Sequence, residues 1–115
     1  MAGVMRVSCT AAGSPYNVFN VITGAQTTGI TQQGGSSIYG KPTSPNWQYL
    51  SIVADPGNGT KKAFTGDAKV TTTNGTPLSA GAQALYKTGD LPRISLTDKW
   101  WAVDTDATIV ILEWG

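Results

Sequence analysis

The sequence predicts an all-β protein, a single β-sandwich or jelly-roll-like domain of about eight short strands. Small and turn-prone residues (Thr, Ser, Asn, Gly and Pro) make up 49 of the 115 residues, whereas Glu, a strong helix former, occurs once. Ten aromatic residues, four of them Trp, can fill a core and argue against disorder. Turn signals recur every 8–12 residues or so, as in sandwiches and jelly rolls. The length fits one domain.

The first third of the chain predicts four strands. Residues 4–9 alternate in polarity and predict the first strand, with Cys9 as a small buried side chain. Residues 16–22 alternate as well and predict the second strand. Residues 27–33 are polar on both faces, which is typical of an edge strand. Residues 38–39 predict a short strand.

The middle of the chain predicts one central strand between two loops. Residues 41–46 contain two prolines, which remove ladder donors and predict a loop. Residues 47–54 show the clearest alternation, and the dense turn chemistry of residues 55–59 ends that strand. Residues 61–65 and 68–72 are expected to be short extended segments.

The last third predicts a closing hairpin. Residues 78–81 are expected to form a loop, and residues 82–86 fit either a strand or a short helix. Residues 93–96 predict a short strand. Residues 99–103 and 108–114 are expected to pair with each other across a four-residue turn.

The composition excludes several classes of function. The chain has no histidine and one cysteine, which rules out Ser-His-Asp and Cys-His catalysis, internal disulfides and multi-cysteine metal sites. Its formal charge of +1 comes from scattered charges, so the basic stripe of a nucleic-acid or anionic-membrane binder is missing. No apolar run approaches the roughly 20 residues of a membrane span. We expect neither nucleic acid nor a membrane as partner.

Few polar groups suggest chemistry. Asp104 and Asp106 lie two positions apart and are able to share a Ca²⁺, but Asp residues in a turn more commonly accept hydrogen bonds from their own backbone. Asp55 and Asn58 do not match the calcium-loop spacing. Residues 57–62 lack the spacing of a phosphate loop. We therefore predict no catalytic residue, no metal and no cofactor.

The four tryptophans, at positions 47, 100, 101 and 114, are the most informative residues. If Trp100 and Trp101 lie on a strand, they point to opposite faces. One fills the core, and the other is covered by a loop or faces solvent, a ligand or another protein. Trp is enriched in interface hot spots and also stacks on sugars.

Four segments carry a resemblance to a known class of proteins. They are residues 7–13 (VSCTAAG), 50–54 (LSIVA), 74–81 (NGTPLSAG) and 109–114 (IVILEW). In these strands and turns the chain resembles small structural proteins of tailed-bacteriophage virions, in particular head decoration proteins.

The resemblance implies a non-enzymatic protein that is made in the host cytoplasm and then binds in many copies to the major capsid protein on the outside of the virion. Such proteins are often homo-oligomers, and commonly trimers. We expect residues 1–6 to form an N-terminal arm that reaches a neighbour. The residues expected to bind partners are Tyr39, Trp47, Trp100, Trp101, Met1, Met5 and Arg6.

Two alternatives stay open at this point. One is a carbohydrate-binding module or tail-associated adhesin, in which an exposed Trp stacks on a sugar. The other is a tail or connector component with the same fold.

Overall fold

Strands dominate the computed structural model, which describes residues 3–33, 44–88 and 93–115. One α-helix, α1, spans Val18–Thr23, and two 3₁₀ turns span Pro56–Asn58 and Leu96–Asp98. The strands are β1 (Gly3–Cys9), β2 (Tyr16–Asn17), β3 (Ile30–Gln32), β4 (Asn46–Trp47), β5 (Tyr49–Ala54), β6 (Ala63–Gly66), β7 (Thr76–Leu78), β8 (Gln83–Lys87), β9 (Ile94–Ser95), β10 (Trp100–Val103) and β11 (Thr108–Trp114).

The strands form two main antiparallel sheets that enclose one core. The large sheet has five strands in the order β3-β1-β11-β5-β8, and the small sheet has four in the order β2-β10-β6-β7. Strands β4 and β9 pair separately. The core cluster takes side chains from both sheets and from α1. The predicted all-β, sandwich-like domain is therefore confirmed.

Strand β11 shows how the sequence builds this core. Its residues alternate: Val110, Leu112 and Trp114 are buried, whereas Ile109 and Ile111 are only partly covered. A strand turns successive side chains to opposite faces, so one side of β11 enters the core. The strand pairs with β1 on one side and with β5 on the other.

The second predicted strand is wrong beyond Asn17, because the chain turns into α1. The Asn17 side chain caps the helix by accepting the Asn20 N–H at 3.0 Å. Gly24 ends the helix with φ 84°, and its N–H donates to the Val21 carbonyl. Val18 and Ile22 are buried on one helical face, and their spacing of four residues also fits the alternation of a strand.

The predicted strand over residues 47–54 is interrupted at Gln48. The N–H groups of Gln48 and Tyr49 both donate to the Gly115 carbonyl, at 2.8 and 3.0 Å. This shared acceptor separates β4, which pairs with β9, from β5, which joins the large sheet.

The predicted closing hairpin is wrong, although its two strands exist. β10 lies between β2 and β6 in the small sheet, whereas β11 lies in the large sheet. The intervening turn crosses from one sheet to the other. Ala107 adopts φ 67° there, and its N–H donates to the Cys9 carbonyl at 2.8 Å. The turn therefore ties the two sheets together.

Three smaller predictions are also settled. β3 forms an edge of the large sheet, as predicted, and residues 82–86 lie largely in strand β8. Residues 68–72 are not extended: they turn, and Val70 is buried beside Gly66 and Gly75. Residues 38–39 lie outside the described residues.

The expected N-terminal arm is wrong for residues 3–6. They belong to β1 and pair with β11, from Gly3 opposite Trp114 to Arg6 opposite Ile111. A Cβ at Gly3 would collide with the Trp114 ring, so the end of β1 is fitted closely to the core. Within the described residues, no helix has the length and apolarity needed to cross a membrane.

We expect Asn58→Ala to destabilise the protein by about 2–3 kcal/mol. The buried Asn58 side chain donates to the Ile109 carbonyl and accepts the Ile109 N–H, each at 2.9 Å, and so acts as a strand partner for β11. Urea denaturation measures the loss. Asn74→Ala, which removes exposed turn bonds, is the control and is expected to cost less. Equal losses would contradict this role.

Candidate interaction surfaces

Trp101, one of the expected contact residues, is a core residue. Its side chain is fully buried. Its ring stacks on Tyr16 with centroids 5.3 Å apart, and its Nε1–H donates to the Cys9 sulfur at 3.4 Å. The prediction that Trp101 contacts a partner is wrong because the core needs this ring. Trp114 is buried as well.

Met5 and Arg6 separate to opposite faces of β1. Met5 is 5% exposed and belongs to the core cluster, so its predicted contact role is also wrong. Arg6 lies on the outer face, partly exposed, and forms an ion pair with Asp55. Tyr39 and Met1 lie outside the described residues.

Trp47 and Trp100 remain at the surface, on different sheets. Both are partly exposed. The Trp47 Nε1–H donates to the Ser44 carbonyl at 2.9 Å, and β4 pairs with β9. Trp100 lies opposite Gly66 and Asn17 in the small sheet. Trp100 and Trp101 do point to opposite faces, as predicted, but Trp47 and Trp100 do not form one site.

The acidic side chains hold loops in place by accepting hydrogen bonds from backbone N–H groups. Asp104 accepts the Lys62 N–H at 3.0 Å, and Asp106 accepts the Ala12 N–H at 3.2 Å. Asp55 accepts the Gly57 N–H at 2.9 Å. The described residues contain no group of three or more His, Cys, Asp or Glu side chains able to hold a metal ion.

The outer face of the large sheet carries five aliphatic residues among polar ones, and sequence reasoning missed them. We call five outward residues the aliphatic face: Val4, Val53, Leu85, Ile109 and Ile111. None belongs to the core cluster or packs against it. Leu85 is 46% exposed and the other four are partly exposed. The water-facing side of an antiparallel sheet is normally polar, so this face is unusual.

Strand register gathers these residues on one surface. Ile111 lies between Arg6 on β1 and Val53 on β5. In the next row, Val4 lies opposite Glu113, which lies opposite Ser51, and Ser51 lies opposite Leu85. The sequence signal for this face is the run of apolar residues over 109–112. A strand that is covered on both sides lacks the alternation of polar and apolar residues.

The polar groups around the aliphatic face bond to one another. Arg6 pairs with Asp55, and the Tyr49 hydroxyl donates to Glu113 at 3.3 Å. The Gln83 amide donates to the Ser51 hydroxyl at 2.7 Å. These polar side chains already have hydrogen-bond or ion-pair partners within the sheet. A partner protein that buries this face therefore has to supply few new hydrogen bonds.

A small cavity lies between α1 and the β1–β3 edge of the large sheet. Its volume is about 200 Å³, and Met5, Val7, Val21, Ile22 and Ile30 supply its apolar lining. Small-molecule sites usually enclose about 300–1,000 Å³, so this cavity fits a single apolar side chain better than a cofactor.

Comparisons with known proteins add no identification. No protein-family model, curated protein or solved structure matches this chain significantly.

The buried Cys9 thiol gives the folded protein a specific sensitivity to alkaline pH. Burial raises its pKa from the ordinary value of 9.0 to about 12, against the opposing effect of the Trp101 hydrogen bond. The unfolded chain therefore loses this proton first. The contribution to stability is fully present below about pH 9 and is lost as the pH rises towards 12.

Between pH 8 and pH 10.5, we expect the wild-type protein to lose about 2 kcal/mol more unfolding free energy than Cys9→Ala. Other titrating groups are common to both proteins, so the difference isolates the thiol. Urea denaturation at the two pH values measures it. Parallel pH profiles would show that Cys9 ionises as readily in the folded chain as in the unfolded one.

Proposed function

We propose that this chain is a non-enzymatic virion structural protein that decorates the head of a tailed bacteriophage by binding its major capsid protein. The aliphatic face of the large sheet carries this proposal. It combines exposed and partly exposed aliphatic side chains with polar groups that already bond to one another, on the sheet with the most strands, and such a surface suits contact with another protein.

The energetics fit binding in many copies. Fully burying one aliphatic side chain contributes about 1.5–3 kcal/mol, and the partly covered residues of this face contribute less than that each. One copy therefore binds moderately. An oligomer that engages several equivalent capsid sites multiplies this affinity without new contacts.

The resemblance to head decoration proteins supports the same surface. Residues 50–54 lie in β5 and residues 109–114 in β11, and these strands supply Val53, Ile109 and Ile111 to the aliphatic face. Two of the four segments that carry the resemblance thus supply three of the five residues of the proposed contact surface.

Carbohydrate binding is the second candidate, and Trp100 favours it. Its ring is partly exposed on the small sheet, opposite Gly66. A sugar ring stacks on such a surface. On a glycan array, binding that Trp100→Ala abolishes and Ile111→Glu leaves intact would favour this candidate.

For capsid binding, we expect Ile111→Glu to weaken affinity at least tenfold, or about 1.4 kcal/mol. The carboxylate puts a charge in the aliphatic face, while the neighbouring Arg6 allows the strand to accept it. Co-sedimentation with undecorated capsids, assembled from the major capsid protein of the same genome, measures binding.

Ala68→Lys is the matched control for that experiment. Ala68 is exposed in a turn after β6, so its substitution is expected to leave capsid binding unchanged. Circular dichroism confirms that both variants fold. Wild-type protein that does not co-sediment with capsids, or Ile111→Glu that binds as tightly as wild type, would contradict the proposal.

A further inference from the structure

The sheet edges are not equally protected. An edge strand exposes unpaired N–H and C=O groups, and proteins usually blunt it with Pro, charge or short length. Among the edges formed by described strands, β3 has three residues, β2 has two and runs into α1, and β7 contains Pro77. β8 has five residues without Pro, and it carries the exposed Leu85.

The register shows which groups of β8 point outwards. The Thr88 N–H donates to the Gln48 carbonyl, and the Ala54 N–H donates to the Ala82 carbonyl. Even-numbered residues of β8 therefore bond to β5. In an antiparallel ladder the bonding direction alternates, so the N–H and C=O groups of Gln83, Leu85 and Lys87 face away from β5.

We propose that this edge pairs, antiparallel, with β8 of a second copy of the chain, about a two-fold axis at Leu85. The three outward-bonding residues are centred on Leu85. The axis places Leu85 opposite its symmetry mate and Gln83 opposite Lys87 of the other copy. This register forms about six N–H···O bonds between the chains and joins two large sheets into one.

Charge is compatible with a second copy as the occupant and disfavours one alternative register. Lys87 faces a neutral Gln83 in the proposed pairing, so no like charges lie directly opposite. Moving the axis to Lys87 would place two lysines in contact and leave Leu85 exposed. The two-fold pairing covers Leu85 with its own mate, and it needs no strand of another sequence.

The same axis unites the aliphatic faces. Because Leu85 belongs to this face and meets its mate on one side of the joined sheet, both faces point the same way. The dimer thus places both aliphatic faces on one side of the joined sheet, with the Leu85 pair between them. The paired edge is smaller than the interfaces of about 1,200 Å² or more that hold stable dimers, so we expect a micromolar association.

Cysteine cross-linking tests the register. In Leu85→Cys, the two thiols lie on residues about 5.5 Å apart between Cα atoms, within disulfide reach. In a dimer of the Gln83→Cys variant, the two introduced thiols lie about 13 Å or more apart along the strands. Cys9 is buried and does not compete.

At tens of micromolar protein under mild oxidation, we expect Leu85→Cys to form disulfide dimers at least tenfold faster than Gln83→Cys. A mixture of Gln83→Cys with Lys87→Cys should form heterodimers at a comparable rate. Equal rates for Leu85→Cys and Gln83→Cys would indicate random collision and overturn the proposal.

Sedimentation equilibrium of proteins without added cysteine gives an independent test. Leu85→Lys places two lysines on the axis and should raise the dimer dissociation constant at least tenfold, while the melting temperature of dilute protein stays unchanged. Thr31→Lys, on the β3 edge, is the control and should leave the dimer intact. A wild-type monomer at high concentration, a trimer, or a Leu85→Lys dimer as tight as wild type would refute the two-fold pairing.

Discussion

Strand β11 is the element on which the rest of the structure depends. It lies at the middle of the large sheet and pairs with β1 over seven residues and with β5 over five. Its inward residues enter the core, and its outward Ile109 and Ile111 form the centre of the aliphatic face. One strand therefore supplies both the fold and the candidate contact surface, so changes on its two sides have different consequences.

Alternation in the sequence predicts β1, β5 and the two C-terminal strands, because each has one face in a core. It does not predict strand partners. The segments that contain β10 and β11 are adjacent in sequence and read as a hairpin, yet long-range packing assigns them to different sheets. α1 was missed because Val18 and Ile22 satisfy both a period of two and a helical spacing, and only the Asn17 cap distinguishes them.

The candidate site was harder to predict than the fold. Strand geometry predicts that the side chains of Trp100 and Trp101 point to opposite faces. Which of the two is buried depends on contacts with Tyr16 and Cys9, which are far away in sequence. Large rings fill much of a small core, so the Trp101 ring is buried there and is not a contact residue. The surface left for contact is aliphatic, and it is recognisable in sequence only as a strand without alternation.

If the large sheet is the contact surface, its orientation on an assembled particle is fixed. Imaging of decorated capsids at a resolution that separates strands is the most direct measurement. The outer face of the large sheet, with Ile111 at its centre, is expected to lie against the major capsid protein. A particle in which that face points to solvent, with the small sheet on the capsid, would contradict the central claim.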